Sequence, residues 1–192
     1  ANTTASNNTA IGTSALTANT TGDYNTAIGQ LSLTTNTTGR FNVASGVDAL
    51  RRNTTGSFNT ATGYTALEDN TTADSNTAYG AYALGANTTG ASNTAVGKSA
   101  GSRNTTGSTN TFIGEESGFW NTTGSDNTAL GADAYAGSNT ATGSYNTAIG
   151  KSSLFANTTG ASNTAVGRNA LNSNTTASHN LCVGADSGAS IT

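Results

Sequence analysis

Apolar residues recur along this chain at fixed places within a 17-residue unit, not in blocks. The unit reads N-T-T-G-x-x-N-T-A-φ-G-x-x-A-L-x-x, with φ mostly aliphatic. It begins at Asn2, Asn19, Asn36, Asn53, Asn70, Asn87, Asn104, Asn121, Asn139, Asn157 and Asn174. A fixed short period marks a solenoid, with one coil per repeat stacked on the next. Helix is a poor fit, because Gly, Asn and Thr are weak helix formers and no stripe at 3.6 spacing appears. Strand suits Asn-Thr-Ala-φ-Gly: Asn25, Ala27 and Gly29 would share one face, Thr26 and Ile28 the other. A second short strand is expected over x-A-L, as at Ser14–Leu16 and Thr65–Leu67. Asn-Thr-Thr-Gly reads as the return turn, its Gly supplying a positive φ or a close backbone approach.

Charge placement refines this coil. Numbering the unit from its first Asn, all the charged residues fall in columns 5, 6, 12, 13, 16 and 17, among them Asp23, Arg40, Asp48, Arg51, Glu68 and Lys98. Three solvated corners are therefore expected. Column 7 is always Asn, column 11 always Gly and column 14 always Ala or Ser, so the core is thin, with Leu16, Leu33, Leu50, Leu67, Leu84, Leu154 and Leu171 as its larger members. One buried Leu yields about 1.5–3 kcal/mol, against roughly 1–2 kcal/mol of backbone entropy per ordered residue. A single coil cannot stand alone; stacked ladders and burial against other chains must stabilise it. The chain reads as one continuous array over 1–192, with a register slip near 137–143 and a degenerate last unit over 174–192. Eleven coils at about 4.8 Å each give a rod of roughly 50 Å.

Composition supports order. Hydrophobic residues make up only 33% and charged ones 9%, but Pro is absent. Disordered chains are usually rich in charge and Pro, and Pro is excluded from sheet interiors because it removes a backbone donor. A net charge of −3 leaves no basic footprint for nucleic acid. No apolar run approaches the ~20 residues needed to span a bilayer. Starting at Ala1 and lacking Met, the chain reads as an excised segment or processed product. The lone Cys182 stands in an Ala column and is expected to be a small buried side chain.

Asn-Thr-Ala-Ile-Gly-x-x-Ala-Leu with interleaved Asn-Thr-Thr-Gly, and the variant Asn110-Thr-Phe-Ile-Gly-Glu-Glu-Ser-Gly118, resemble repeats of phage tail-fibre-like and bacterial surface-fibre proteins. The core motif is also similar to the repeats in the β-roll head of YadA-like trimeric autotransporter adhesins. That resemblance implies an all-β, parallel β-solenoid of about eleven 17-residue coils, left-handed and homotrimeric. It also implies a fibrous, extracellular attachment role, with no catalytic residues carried over.

No enzyme chemistry reads from the chain. His179 lies in a corner column with no triad or metal set around it. Neighbouring residues on a strand point apart, so Glu115 and Glu116 make no paired-carboxylate site. No cofactor motif is present. Three features carry candidate binding. Asn2, Asn19, Asn36, Asn53, Asn70, Asn87, Asn104, Asn121, Asn157 and Asn174 each open an Asn-Thr-Thr glycosylation acceptor, with Asn7 an extra match; turn chemistry accounts for the same repeat. Tyr24, Phe41 and Phe58, with Phe119 and Trp120, form a candidate aromatic contact strip for sugars or a neighbouring chain. Thr rows in columns 2, 3 and 8 raise ice binding, against which column 10 is aliphatic. The reading is a non-catalytic structural and adhesive segment of an extracellular fibre, self-associating as a trimer or filament. It would present corner side chains to a cell-surface glycan or receptor, without nucleic acid or membrane insertion. The alternative is an N-glycan-coated filament subunit.

Overall fold

The structure, a computed structural model, describes residues 4–137 and 140–191. Its elements are β1 (Thr9–Ile11), β2 (Thr26–Ile28), β3 (Val43–Ser45), β4 (Thr60–Thr62), β5 (Thr77–Tyr79), β6 (Thr94–Val96), β7 (Thr111–Ile113), β8 (Thr128–Leu130), β9 (Thr147–Ile149), β10 (Thr164–Val166) and β11 (Leu181–Val183). They form one parallel sheet in sequence order, in register, Thr9 opposite Thr26 and Ala10 opposite Ala27. This is an all-β parallel solenoid with one strand per coil, and no helix occurs among the described residues. The expected strand faces hold. Asn25 and Ala27 are fully buried, while Ile28 and its column face outward.

The second strand does not form. The x-A-L segment is a run of overlapping turns, in which Ala15 N–H donates to Gly12 C=O (3.3 Å), Thr34 N–H to Leu31 C=O (3.3 Å) and Asn36 N–H to Leu33 C=O (3.1 Å). Leu31 and Leu33 take left-handed φ of 59° and 48°, a conformation costing an ordinary residue about 1–2 kcal/mol. Two things offset that cost: Leu33 N–H donates to Ala49 C=O of the next coil (3.1 Å), and the Leu33 side chain is fully buried.

The interior is lined by two asparagine columns as well as Ala and Leu. In column 1, Asn36 Nδ2 donates to Asn19 Oδ1 of the preceding coil (2.9 Å) and to its own Gly39 C=O (3.0 Å). In column 7, Asn25 Oδ1 accepts the Asn42 N–H (3.0 Å), and Asn42 Nδ2 donates to Gly56 C=O of the next coil (2.9 Å). Thr20 Oγ1 likewise donates to Thr37 C=O (2.9 Å). Buried polar groups are tolerable only when bonded in this way. Column 11 needs Gly, since Gly97 has φ +133° and an added Cβ would lie 2.6 Å from Gly114 O.

The coils depart from the consensus at three places, and each departure exchanges volume across the core. Phe112 replaces an Ala, and in two coils Gly101 and Gly118 replace the Leu beside it; added Cβ atoms there would lie 2.6 and 2.3 Å from its ring. Cys182, half-buried and packed on the core, is matched by Gly188, whose added Cβ would lie 2.5 Å from its Sγ. At the register slip, Ala141 bridges Asn121 in the column where asparagine belongs. Tyr135 stands in for Leu, and its hydroxyl donates to Gly143 C=O (2.7 Å), the bond the missing carboxamide would have made. Burial pushes the Tyr135 phenol up to about 12. Column 7 crosses the slip intact, Asn146 N–H donating to Asn127 Oδ1 (2.9 Å) across 19 residues. The degenerate last unit keeps register through β11, where Leu181 pairs with Thr164.

Candidate functional site

The surface divides into a sheet face, a turn edge and corners. On the sheet face, column 10 places Ile11, Ile28, Tyr79, Val96, Ile113, Leu130 and Val183 outward and exposed. Column 8, mostly Thr, lies beside it on the same side. No charged residue falls in columns 7 to 11, so this strip is uncharged along its length.

The turn edge holds the candidate acceptors. Asn19, Asn36, Asn53, Asn70, Asn87, Asn104, Asn121, Asn157 and Asn174 are all fully buried; Asn2 lies outside the described residues. The Nδ2 atoms that would carry sugar already donate inside the coil, as Asn53 does to Asn36 Oδ1 (2.8 Å) and Gly56 C=O (2.9 Å). A glycan on such a nitrogen and this coil exclude one another. Asn7 is exposed. The exposed residue of the edge is the second Thr, Thr21, Thr38 and Thr55 onward, a solvated column that charge placement did not mark.

The charged corners carry ladders between coils. Asp23 lies 3.9 Å from Arg40, Arg52 2.9 Å from Asp69, Lys98 3.1 Å from Glu115 and Arg168 2.8 Å from Asp186; Arg51 pairs with Glu68. The Glu115 hydrogen bond holds the Lys98 ammonium above its ordinary pKa. Column 13 is mixed: Thr65 and Ser99 are buried while Tyr82 is exposed, on the same left-handed backbone. His179 sits exposed at its corner. Among the described residues, no group of three His, Cys, Asp or Glu is placed to hold a metal ion, and no helix is long and apolar enough to cross a membrane.

The five candidate aromatics do not make one strip. Tyr24, Phe41 and Phe58 stack at 5.1 Å centroid spacing with planes 4° and 8° apart. Both faces of Phe41 are spent on its neighbours, while Tyr24 and Phe58 each use one face in the stack. Phe119 and Trp120 lie at a different corner, edge-on at 5.2 Å, with the Arg103 guanidinium 5.9 and 5.1 Å from their ring centres.

That second corner borders a groove of about 460 Å³ lined by Tyr64, Tyr82, Glu68, Asp69, Arg103 and Phe119, with Gly85, Ala86, Ser99 and Ser102 among its smaller residues. It forms where columns 16 and 17 shrink to Gly85-Ala86 between Glu68-Asp69 and Phe119-Trp120. Sequence reasoning marked Phe119 and Trp120 but missed the groove; the available signal was that run of small residues between large ones. Comparison with family models, curated proteins and solved structures gives no match.

Proposed function

We propose that this chain is a non-catalytic structural segment of an extracellular fibre, assembled as a homotrimer through the outward sheet face. The carrying observation is the aligned, uncharged column from Ile11 to Val183, aliphatic except at Ser45, Thr62 and Tyr79, which is exposed or half-buried on a single chain. At about 4.8 Å per coil and roughly 10 Å across columns 8 to 10, the strip covers about 500 Å². That is at the upper end of the apolar patches found on monomers, where such patches mark interaction sites. A second and third copy fit it better than a charged partner does, because every charge lies on the corners. Packing copies through this face leaves those corners outward for multivalent attachment.

Sedimentation equilibrium tests the reading: a mass of three times 18.9 kDa is expected. Ile28→Lys with Ile113→Lys should give a monomer with unchanged β circular dichroism. A wild-type chain that stays monomeric at micromolar concentration and above sinks the trimer. One observation favours a second reading of the same face: Thr column 8 lies beside column 10 at a regular spacing, as ice binding requires. Thermal hysteresis from a monomer would select it.

A further inference from the structure

We infer that the groove between Tyr64, Tyr82 and Phe119 binds a neutral oligosaccharide. Asp69 is held 2.9 Å from Arg52, Glu68 is paired with Arg51, and Arg103 lies over the Phe119 and Trp120 rings. The two carboxylates are each offset by an arginine, while Arg103 faces aromatic rings, so the groove holds one diffuse positive charge and no charge cluster. The paired carboxylates keep further lone pairs and the guanidinium keeps further N–H donors. These planar groups, together with the Ser99 and Ser102 hydroxyls, can exchange hydrogen bonds with a ligand that both donates and accepts.

The apolar half is equally defined. Tyr64 and Tyr82 meet edge to face at 5.3 Å and remain 49% and 45% exposed. Unlike the parallel rings of the column 6 stack, this pair meets edge-on, so at most one ring face is covered by the other ring. Gly85 and Ala86 leave room beside them. A pyranose ring matches this lining, with an apolar C–H face to set on an aromatic face and a rim of hydroxyls to reach polar groups. Thr65 forms part of the groove wall, is only 7% exposed, and among the described residues is one of two β-branched residues held at positive φ. The volume lies within the usual range for ligand sites. The groove runs over successive coils along the rod, which suits a linear chain of sugars.

For its biological use the inference rests on the attachment role proposed above, but the site lies on columns 12 to 17, away from the sheet face. Its failure is therefore separable from failure of the trimer, which the mass measurement reads alone. The test titrates the intact chain with cellohexaose, maltohexaose, mannohexaose and chitohexaose, beside sialyllactose as anion and spermine as cation, by calorimetry and by Trp120 fluorescence. Saturable binding of at least one neutral hexasaccharide is expected, with little change between low and high salt. Tyr64→Gln with Tyr82→Ser should weaken it about tenfold or more. These replacements are borrowed from Gln30 and Ser14 in the same columns, so the coil keeps residues it already accepts. Gly85→Arg, copying Arg51, should fill the groove and abolish binding. Three results overturn the inference: no neutral hexasaccharide binds at millimolar concentration, sialyllactose or spermine binds in preference with steep salt dependence, or binding persists in both variants.

Discussion

The exchange of volume around Phe112 yields a prediction in which a mutation reverses sign. Phe112 is fully buried, and truncating a sealed Phe to Ala costs about 3–5 kcal/mol. Gly118→Leu alone should also destabilise, because its Cβ would start 2.3 Å from the Phe112 ring. Such overpacking costs about 1–3 kcal/mol or more. In the Phe112→Ala background the same Leu enters the void and recovers about 1.5–3 kcal/mol of burial, less roughly 1–2 kcal/mol for a left-handed Leu. Adding Gly101→Leu restores the consensus in both coils and should bring the triple variant to within about 4 kcal/mol of wild type, two left-handed Leu residues at roughly 1–2 kcal/mol each setting the residual. Urea unfolding of all variants at one protein concentration, followed by circular dichroism and by Trp120 fluorescence, supplies the free energies. If Gly118→Leu is equally destabilising with Phe112 present and absent, the reasoning is wrong.

Other expectations follow from the ladders and the slip. Gly97→Ala places a side chain at φ +133° and 2.6 Å from Gly114 O, and should cost on the order of 3 kcal/mol in the same unfolding assay. Asn93→Ala removes the acceptor for Asn110 N–H and one of two donors to Gly107 C=O, which keeps Asn104 Nδ2; one orphaned buried N–H at about 1–3 kcal/mol predicts a larger loss than a typical corner substitution. Tyr135 has its folded pKa raised to about 12, so its contribution is fully present below the unfolded pKa near 10 and is lost as pH rises from there through the folded value. That loss, on the order of 2–3 kcal/mol, should vanish in Tyr135→Phe when stability is measured between pH 9 and 12. Intact-mass measurement of secreted material should show no glycan at Asn36, Asn53 or Asn87; sugar there with the coil intact would refute the buried-amide geometry.

Much of the fold was legible because a stacked coil repeats its constraints. Column 9 is small because it is sealed inside, as Ala44 and Ala95 show, and the strand period placed Asn25 and Ala27 on the inner face. The turns around Leu33 and Leu50 were not legible. A Leu at positive φ contradicts its own propensity, and the carbonyl that holds it there belongs to the next coil. Charge placement found the corners but passed over the exposed Thr column at Thr38 and Thr55, since a residue can face water without varying. The Asn-Thr-Thr turn was legible as a repeated constraint too, since Asn36 bonds its own turn and stacks on the coil before it. The groove escaped because it is made by what Gly85 and Ala86 lack.

The asparagine-lined interior also sets how this rod responds to temperature. Unfolding an ordinary domain raises heat capacity because hydrated apolar surface outweighs polar surface, by about 0.45 against 0.26 cal/K/mol per Å². Here two columns of carboxamides and their carbonyl partners would be wetted together with Ala and a few Leu. The two contributions therefore cancel more nearly, and the heat-capacity increment per residue should fall below the usual 12–15 cal/mol/K. A small increment lessens the curvature of the stability curve, and such a rod is shifted away from cold denaturation.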